Sequence, residues 1–309
     1  MNLYDDVRPD VPALLAAQAA ALPPADPTAR SGDGVGVAGR LASLARLYLL
    51  GLLVRSGVHR RLVYANLKVD WFHEFQAYWT EALGHRPIQL HDFYYLAGVY
   101  RQRLQSIAPD LGSDRAHLDS WRDPRIVYYL FGHTLRQAMQ PLHVHRYARF
   151  IPRRARVAEY GCGTAPMTFA LARRYRHLDL SLVAADIPHL LFHFARWRFR
   201  HDRFVTTVAI EPDDDKPLPG RYDVIFCLEV FEHLPRPLAT LRHFLDVLNP
   251  GGVLIFDYVR SEGTGLDTAA GLQERMPTLR LVLEQFDVVE GRVPTDGSHV
   301  PPVVVRKRG

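Results

Sequence analysis

The chain has only two cysteines in 309 residues, Cys162 and Cys227, and neither belongs to a pair with zinc or redox CxxC spacing. A disulfide framework and a cysteine-based metal centre are thereby excluded, and a reducing compartment, the cytoplasm, is expected. Long apolar runs are missing too. The most apolar one, 47–54, is eight residues long and closed by Arg46 and Arg55, whereas a bilayer span needs about 20. It reads as a buried or interfacial helix. The opening MNLYDDVRPD lacks the basic start and apolar stretch of a secretory leader, so export is not expected. Lysine is nearly absent, with three against 35 arginines. The net charge of +5 is modest and the basic residues are interleaved with acids rather than gathered in a tail, so composition does not imply a nucleic-acid partner.

What is present is a core. With 48% hydrophobic residues the chain can fill one large or two ordinary domains. Its character changes near residue 150. Before that point apolar residues recur at helical spacing, as in Leu41, Leu44, Leu47 and Tyr48, in Trp71, Phe72, Phe75, Tyr78 and Trp79, and in Phe93, Leu96, Tyr100 and Leu104. Residues 22–39 combine proline, glycine and small polar residues and read as a link. Asp123-Pro124 predicts the start of a helix running to about Met139. From Arg156 onward short β-branched or aliphatic runs alternate with helical segments, at 157–160, 180–185, 205–210, 224–228, 253–258, 288–293 and 303–305. That alternation predicts an α/β domain with a parallel sheet. The last two runs are joined by only PTDGSHVPP, too short for a crossover helix, so the final strand must reverse direction. The reading is thus a mostly helical region, 1–150, followed by an α/β domain, 151–309.

The first of these runs ends in Glu159 and is followed by Tyr160-Gly161-Cys162-Gly163-Thr164-Ala165, with Pro166 suited to a first helical turn. Glycines there permit a tight turn and the close approach of a ligand to the backbone. The next run ends in Asp186, a carboxylate able to accept two ribose hydroxyls. The third glycine of a dinucleotide fingerprint is missing.

Further motifs follow in order: Asp186-Ile187-Pro188, the segment Tyr222–His233 (YDVIFCLEVFEH), and Asn249-Pro250-Gly251-Gly252 ahead of a strand. Together these resemble the motifs of class I S-adenosylmethionine-dependent methyltransferases, over residues 156–259, and the family's seven-stranded Rossmann-like sheet also has a reversed last strand. The resemblance implies S-adenosylmethionine as cofactor. It places Glu159 toward the methionyl amino group, with Tyr160, Gly161, Cys162 and Gly163 beneath the cofactor. Asp186 falls on the ribose and Ile187 on the adenine. Glu211 after the third strand is a further adenine candidate, and Leu228 and Glu229 line the pocket. Ala165 departs from the family's usual third glycine.

Methyl transfer from a sulfonium is an in-line displacement that chiefly requires positioning and water exclusion. An acceptor whose proton has a high pKa also needs a base, and His233, beyond the fourth strand, is the candidate. A histidine merely bonded to backbone at a helix start is an equal reading of it. Glu229-x-x-Glu232-His233 is also similar to a pattern in ubiquinone-biosynthesis O-methyltransferases and small-RNA 2′-O-methyltransferases, where such residues can hold a divalent metal; metal-free relatives carry the same letters, and no metal is expected here.

Acceptor selection is expected in the helical region. Trp71, Tyr78, Trp79, His91, Tyr94 and Tyr95 offer aromatic walls with polar tips, although aromatics at helical spacing also make plain core. His143 and His145 precede the first strand, where the resemblance places cofactor or substrate contacts. The expected function is methylation of a small-molecule acceptor, O-directed, on a hydroxylated metabolite or sugar in bacterial biosynthesis. An RNA methyltransferase and a cofactor-binding protein without turnover are the alternatives. Nothing in the residues sets an oligomeric state.

Overall fold

The computed structural model describes residues 71–88, 93, 96–97, 113–123, 126–139, 143–211, 214, 216–260 and 267–309. His91, Tyr94 and Tyr95, the 22–39 link and the 47–54 run lie outside them. The described residues fall into two compact units, one holding 71–93 and the other 96–309. The change of sequence pattern at residue 150 is therefore not where compactness divides, since the helices of 114–148 belong to the same unit as the sheet.

In the smaller unit, α1 (Trp71–Ala77) continues into a wider π-helical turn, Tyr78–Ala82. Phe72, Phe75 and Phe93 pack edge to face around it, and Gln76 donates to the Ile88 carbonyl at 3.0 Å. Tyr78 and Trp79 are both buried in this small core.

The larger unit is built on a seven-stranded sheet in the order β3-β2-β1-β4-β5-β7-β6. The strands are β1 (Arg156–Tyr160), β2 (Ser181–Asp186), β3 (Val205–Ala209), β4 (Tyr222–Cys227), β5 (Leu248–Tyr258), β6 (Phe286–Glu290) and β7 (Val300–Lys307). Strands β1 to β5 are parallel neighbours, and β7 runs antiparallel to both β5 and β6. The short 291–299 connection forces this reversal, as its length predicts.

Alternation along the strands sorts the core into two faces. Ala158, Val183, Ile225, Leu254, Phe256 and Val305 point to one face, where they meet Leu241 and Phe244 of α7 (Pro237–Val247) and Leu279 and Val282 of α9 (Arg275–Gln285). Val157, Leu182, Val224, Val253, Ile255 and Val304 point to the other. They meet Val144 and Tyr147 of α4 (His143–Ala148) and Met167 and Leu171 of α5 (Pro166–Arg174). Burial of both faces explains why the central strands read as continuous apolar runs. Deleting one of the large rings, such as the fully buried Phe244, would cost about 3–5 kcal/mol.

Two details depart from the sequence reading. The Pro250-Gly251-Gly252 turn lies inside β5, where Leu248 pairs Tyr222 but Val253 already pairs Val224. The extra residues bulge out, with Gly251 at φ +72°. The helix predicted from Asp123-Pro124 appears as α3 (Ile126–Met139), with Ile126 N–H bonded to the Asp123 carbonyl at 2.9 Å. Ahead of it lies α2 (Asp114–Ser120).

Candidate active site

Strand order reverses between β1 and β4, so the loops leaving their carboxyl ends diverge and open the crevice in which α/β sheets bind ligands. On the β1 side the chain turns sharply, with Gly161 at φ +64°, Gly163 at +53° and Ala165 at +55°. At Gly161 the positive φ coincides with a close approach, because a Cβ there would lie 2.4 Å from Val230 Cγ2. Only glycine lets the β1 loop touch the segment after β4.

Two buried carboxylates hold this loop. Glu159 accepts from the backbone N–H groups of Met167 at 3.1 Å and Thr168 at 2.7 Å, capping the first turn of α5 from the neighbouring strand. Burial pushes its carboxyl up to about 7, against the pull of those hydrogen bonds. Asp186, at the end of β2, accepts from Gly163 N–H at 2.5 Å and Ile187 N–H at 2.7 Å, one on each oxygen. Oδ2 keeps a second lone pair beyond the Gly163 contact, which fits a ligand hydroxyl. His189, the N-cap of α6 (Leu190–Phe199), accepts from Phe192 N–H through Nδ1 and sets Nε2 3.4 Å from Asp186. Arg198, also on α6, donates to the Thr164 carbonyl at 2.9 Å while stacking over Phe169 and Phe194. The aromatic run of α6 packs as helix on sheet, with Phe192 and Phe199 beside Ala184.

The β4 side is built from more distant pieces. Glu229 sits at φ +56° with its N–H bonded to Asp257 Oδ1 at 2.6 Å. Burial raises Asp257 to about 7 and raises Glu232 as well. Phe231–His233 forms a single 3-10 turn. His233 Nδ1 lies 2.8 Å from Asp267 Oδ1, off the N–H axis, so the contact is electrostatic rather than a formed hydrogen bond. From α2, His117 Nε2 comes 3.0 Å from the His233 carbonyl and 3.3 Å from Trp121 Nε1. Trp121 stands edge-on to His233, with ring centroids 5.4 Å apart, and stacks on His189 at 5.6 Å. This indole thus bridges the residue touching Asp186 and the candidate base.

The sequence candidates separate accordingly. Glu159, the 161–163 loop, Asp186, Ile187, Glu229 and His233 meet at the carboxyl edge. Leu228 is half-buried against the strands. Tyr160 turns into the core against Phe244, 5.0 Å between centroids, and burial raises its phenol far above the usual range. Glu211 is exposed beyond β3. His145 is exposed and contacts Tyr175 and Arg174, not Asp186 or His233. Tyr78 is buried in the smaller unit, and the side chains of Trp71 and His143 lie outside the described residues. The sequence reading missed His117, Trp121, His189, Arg198 and Asp267. Only His189 carried a local signal, as a polar residue at a helix start just past Asp186.

Comparison with known proteins accounts for this architecture. A family model described as a methyltransferase domain matches residues 131–293, more than half of the chain. The chain belongs to that family, and its fold is that of the class I, S-adenosylmethionine-dependent methyltransferases. Among curated proteins it is 32% identical over 102 residues to a ubiquinone biosynthesis O-methyltransferase of Xanthomonas campestris pv. campestris (strain B100), covering 32% of this chain and 41% of that protein. The chain therefore spans about two fifths of the length of the curated relatives it matches. Among solved structures, PigF with SAH is 16% identical over 70% of each chain, with a TM-score of 0.44. A SAM-dependent methyltransferase from Aquifex aeolicus is 16% identical, covering 54% of this chain and 89% of that one, with a TM-score of 0.41. Among the described residues no helix is long and apolar enough to cross a membrane.

Proposed function

We propose that the chain transfers the methyl group of S-adenosylmethionine to a hydroxyl oxygen of a small-molecule acceptor. The observation that carries this reading is Trp121, which touches both His233 and the His189–Asp186 pair. It sets a potential proton acceptor one side chain away from the carboxylate assigned to the ribose. The similarity to ubiquinone biosynthesis O-methyltransferases supports oxygen as the target.

The bound sulfonium supplies an electrophilic methyl group. In this reading Asp186 holds the ribose and the Gly161–Ala165 loop lies beneath the cofactor, fixed from behind by Glu159 and Arg198. His233 would take the proton of the acceptor hydroxyl, and the cofactor would supply the methyl group and leave as S-adenosylhomocysteine. Positioning supplies most of the acceleration, and the base adds about 10²–10⁴ for an acceptor of high pKa.

The test is transfer of tritiated methyl from S-adenosylmethionine to a catechol, a phenol, a hexose or bulk tRNA at low salt. Label on a hydroxylated small molecule is expected. Label confined to tRNA would replace this reading by an RNA methyltransferase, and binding without transfer to any acceptor would replace it by a cofactor-binding protein.

A further inference from the structure

We infer that His243 is an acid-sensitive latch on the chain that crosses from β3 to β4: neutral, its ring holds that segment against the core, and protonated, it releases it. The inference is independent of the methyl-transfer reading and of His233. Strands β3 and β4 lie on opposite sides of β2 and β1, so residues 210–221 must pass across the sheet to join them. No helix forms among the described residues of that connection. A helix would satisfy its own N–H groups, whereas an irregular crossover pressed onto a core must find acceptors elsewhere. Ile210 N–H bonds the Asp186 carbonyl at 2.8 Å where the crossover begins, and the Tyr222 hydroxyl donates to the Pro219 carbonyl at 3.0 Å where it ends. Between these ties Leu218, buried in the same core as Leu241 and Phe244 of α7, donates its N–H to Nε2 of His243 at 3.1 Å.

A backbone N–H only donates, so Nε2 of His243 presents its lone pair and the proton of the neutral ring is on Nδ1. The ring is buried, and Nδ1 makes no hydrogen bond. A second proton would go to Nε2 and set two N–H groups head to head, with no acceptor at Nδ1 to stabilise the charge. Charging the ring and holding Leu218 therefore exclude one another. The charged groups facing the ring are Asp246 on its own helix and Asp214 and Lys216 on the crossover. Burial outweighs the two carboxylates and lowers the ring's pKa below its ordinary 6.5, and Lys216 acts in the same direction. Stability from this group is thus fully present above pH 6.5 and is lost as pH falls from there through the lowered value.

The side of the contact that yields is the crossover. Helix α7 is fixed in its first turn, where Leu238 N–H bonds Glu274 Oε2 at 2.9 Å at the junction of α8 (Ala269–Gln273) and α9, and its Leu241 and Phe244 are fully buried. The crossover next to Leu218 is held by exposed contacts instead. Asp214 Oδ1 accepts from Lys216 N–H at 2.9 Å, and Lys216 Nζ lies 3.2 Å from Asp246, an exposed pair of little strength. Protonation therefore frees the segment around Leu218 while the first residue of the crossover stays tied to β2.

The experiment follows amide exchange of Leu218 by NMR at about pH 7.5 and about pH 5, corrected for the intrinsic pH dependence of exchange, with Ile210 as internal reference. In the wild-type protein the protection of Leu218 is expected to fall by about tenfold or more at the lower pH while that of Ile210 holds. His243→Gln puts an amide oxygen that does not titrate within reach of Leu218 N–H, and its Leu218 protection is expected to be the same at both pH values. Unchanged Leu218 protection in the wild type, an equal loss at Ile210, or an acid-induced loss that persists in His243→Gln would overturn the inference. Should His243→Gln not fold, the wild-type protein decides: the His243 ring and the exchange of Leu218 must titrate together, and separate midpoints would overturn the latch.

Discussion

The two sides of the crevice differ in how their residues are recruited. On the β1–β2 side, Glu159, Gly161, Gly163, Asp186 and His189 come from two adjacent strands and the turns leaving them, and Asp186 and Glu159 act mainly on backbone N–H groups. On the β4–β5 side, His117, Trp121, His233, Asp257, Asp267 and Thr268 come from separate stretches of chain and act largely on one another's side chains and carbonyls. In the proposed reading the first arrangement serves a constant ligand, the methyl donor, and leaves few side chains to vary. The second surrounds the place proposed for the acceptor, where relatives with different substrates need freedom to change.

That contrast is open to attack, beginning where the effect should be largest. His233→Ala is expected to lower kcat by about a hundredfold with S-adenosylhomocysteine affinity nearly unchanged; steady-state kinetics with calorimetry would show whether the β4 side acts on turnover alone. Arg198→Met keeps the stem over Phe169 but leaves the Thr164 carbonyl without its charged donor. The cost is about 1–3 kcal/mol, expected as a several-fold loss of S-adenosylhomocysteine affinity with little change in KM for the acceptor. A changed acceptor KM with intact cofactor affinity would erase the division between the sides.

Asp257 gives a pH-dependent test. Burial raises its carboxyl from 3.8 to about 7, so between those values the folded chain holds a proton that the unfolded chain has released. Stability from this group is therefore present below pH 3.8, lost as pH rises from there to about 7, and unchanged above it. Asp257→Asn removes the titration while keeping an acceptor for Glu229 N–H. Its Tm relative to wild type should be higher by a few degrees at pH 8 than at pH 5 (about the shift expected for 1–2 kcal/mol). Equal differences at the two pH values would show that Asp257 is not desolvated as described. The smallest effect is expected at Ala165, whose φ of +55° costs an alanine about 1–2 kcal/mol. Ala165→Gly relieves that strain but gains freedom in the unfolded chain, so Tm should rise by no more than about 3 °C. A clear fall would mean that the methyl group packs usefully in the loop.

The legibility of the sequence follows the same contrast. Glycines before a proline at a helix start, an acidic residue ending the next strand, and a nine-residue link too short for a helix are local constraints. They foretold the tight turn after β1, the acidic end of β2 and the reversed β7. Asp267 and Trp121 depend on which distant segments the fold brings to His233, 34 and 112 residues away, and no local pattern marks either. Arg198 was lost in an arginine-rich background, although it is a buried anchor. Tyr160, which its place in the motif set beneath the cofactor, turns its ring into the core against Phe244. The acceptor candidates at 71–95 were drawn from aromatic spacing, which in Phe72, Phe75 and Trp79 serves a small core.

The central claim, that the loop after β1 and the carboxylate ending β2 bind the methyl donor, is tested most directly by titrating S-adenosylhomocysteine calorimetrically into wild-type and Asp186→Ala protein. The account predicts saturable binding to the wild type, weakened roughly tenfold or more in the variant as the charged acceptor of the ribose hydroxyls is lost. Equal affinity in two folded proteins would contradict it.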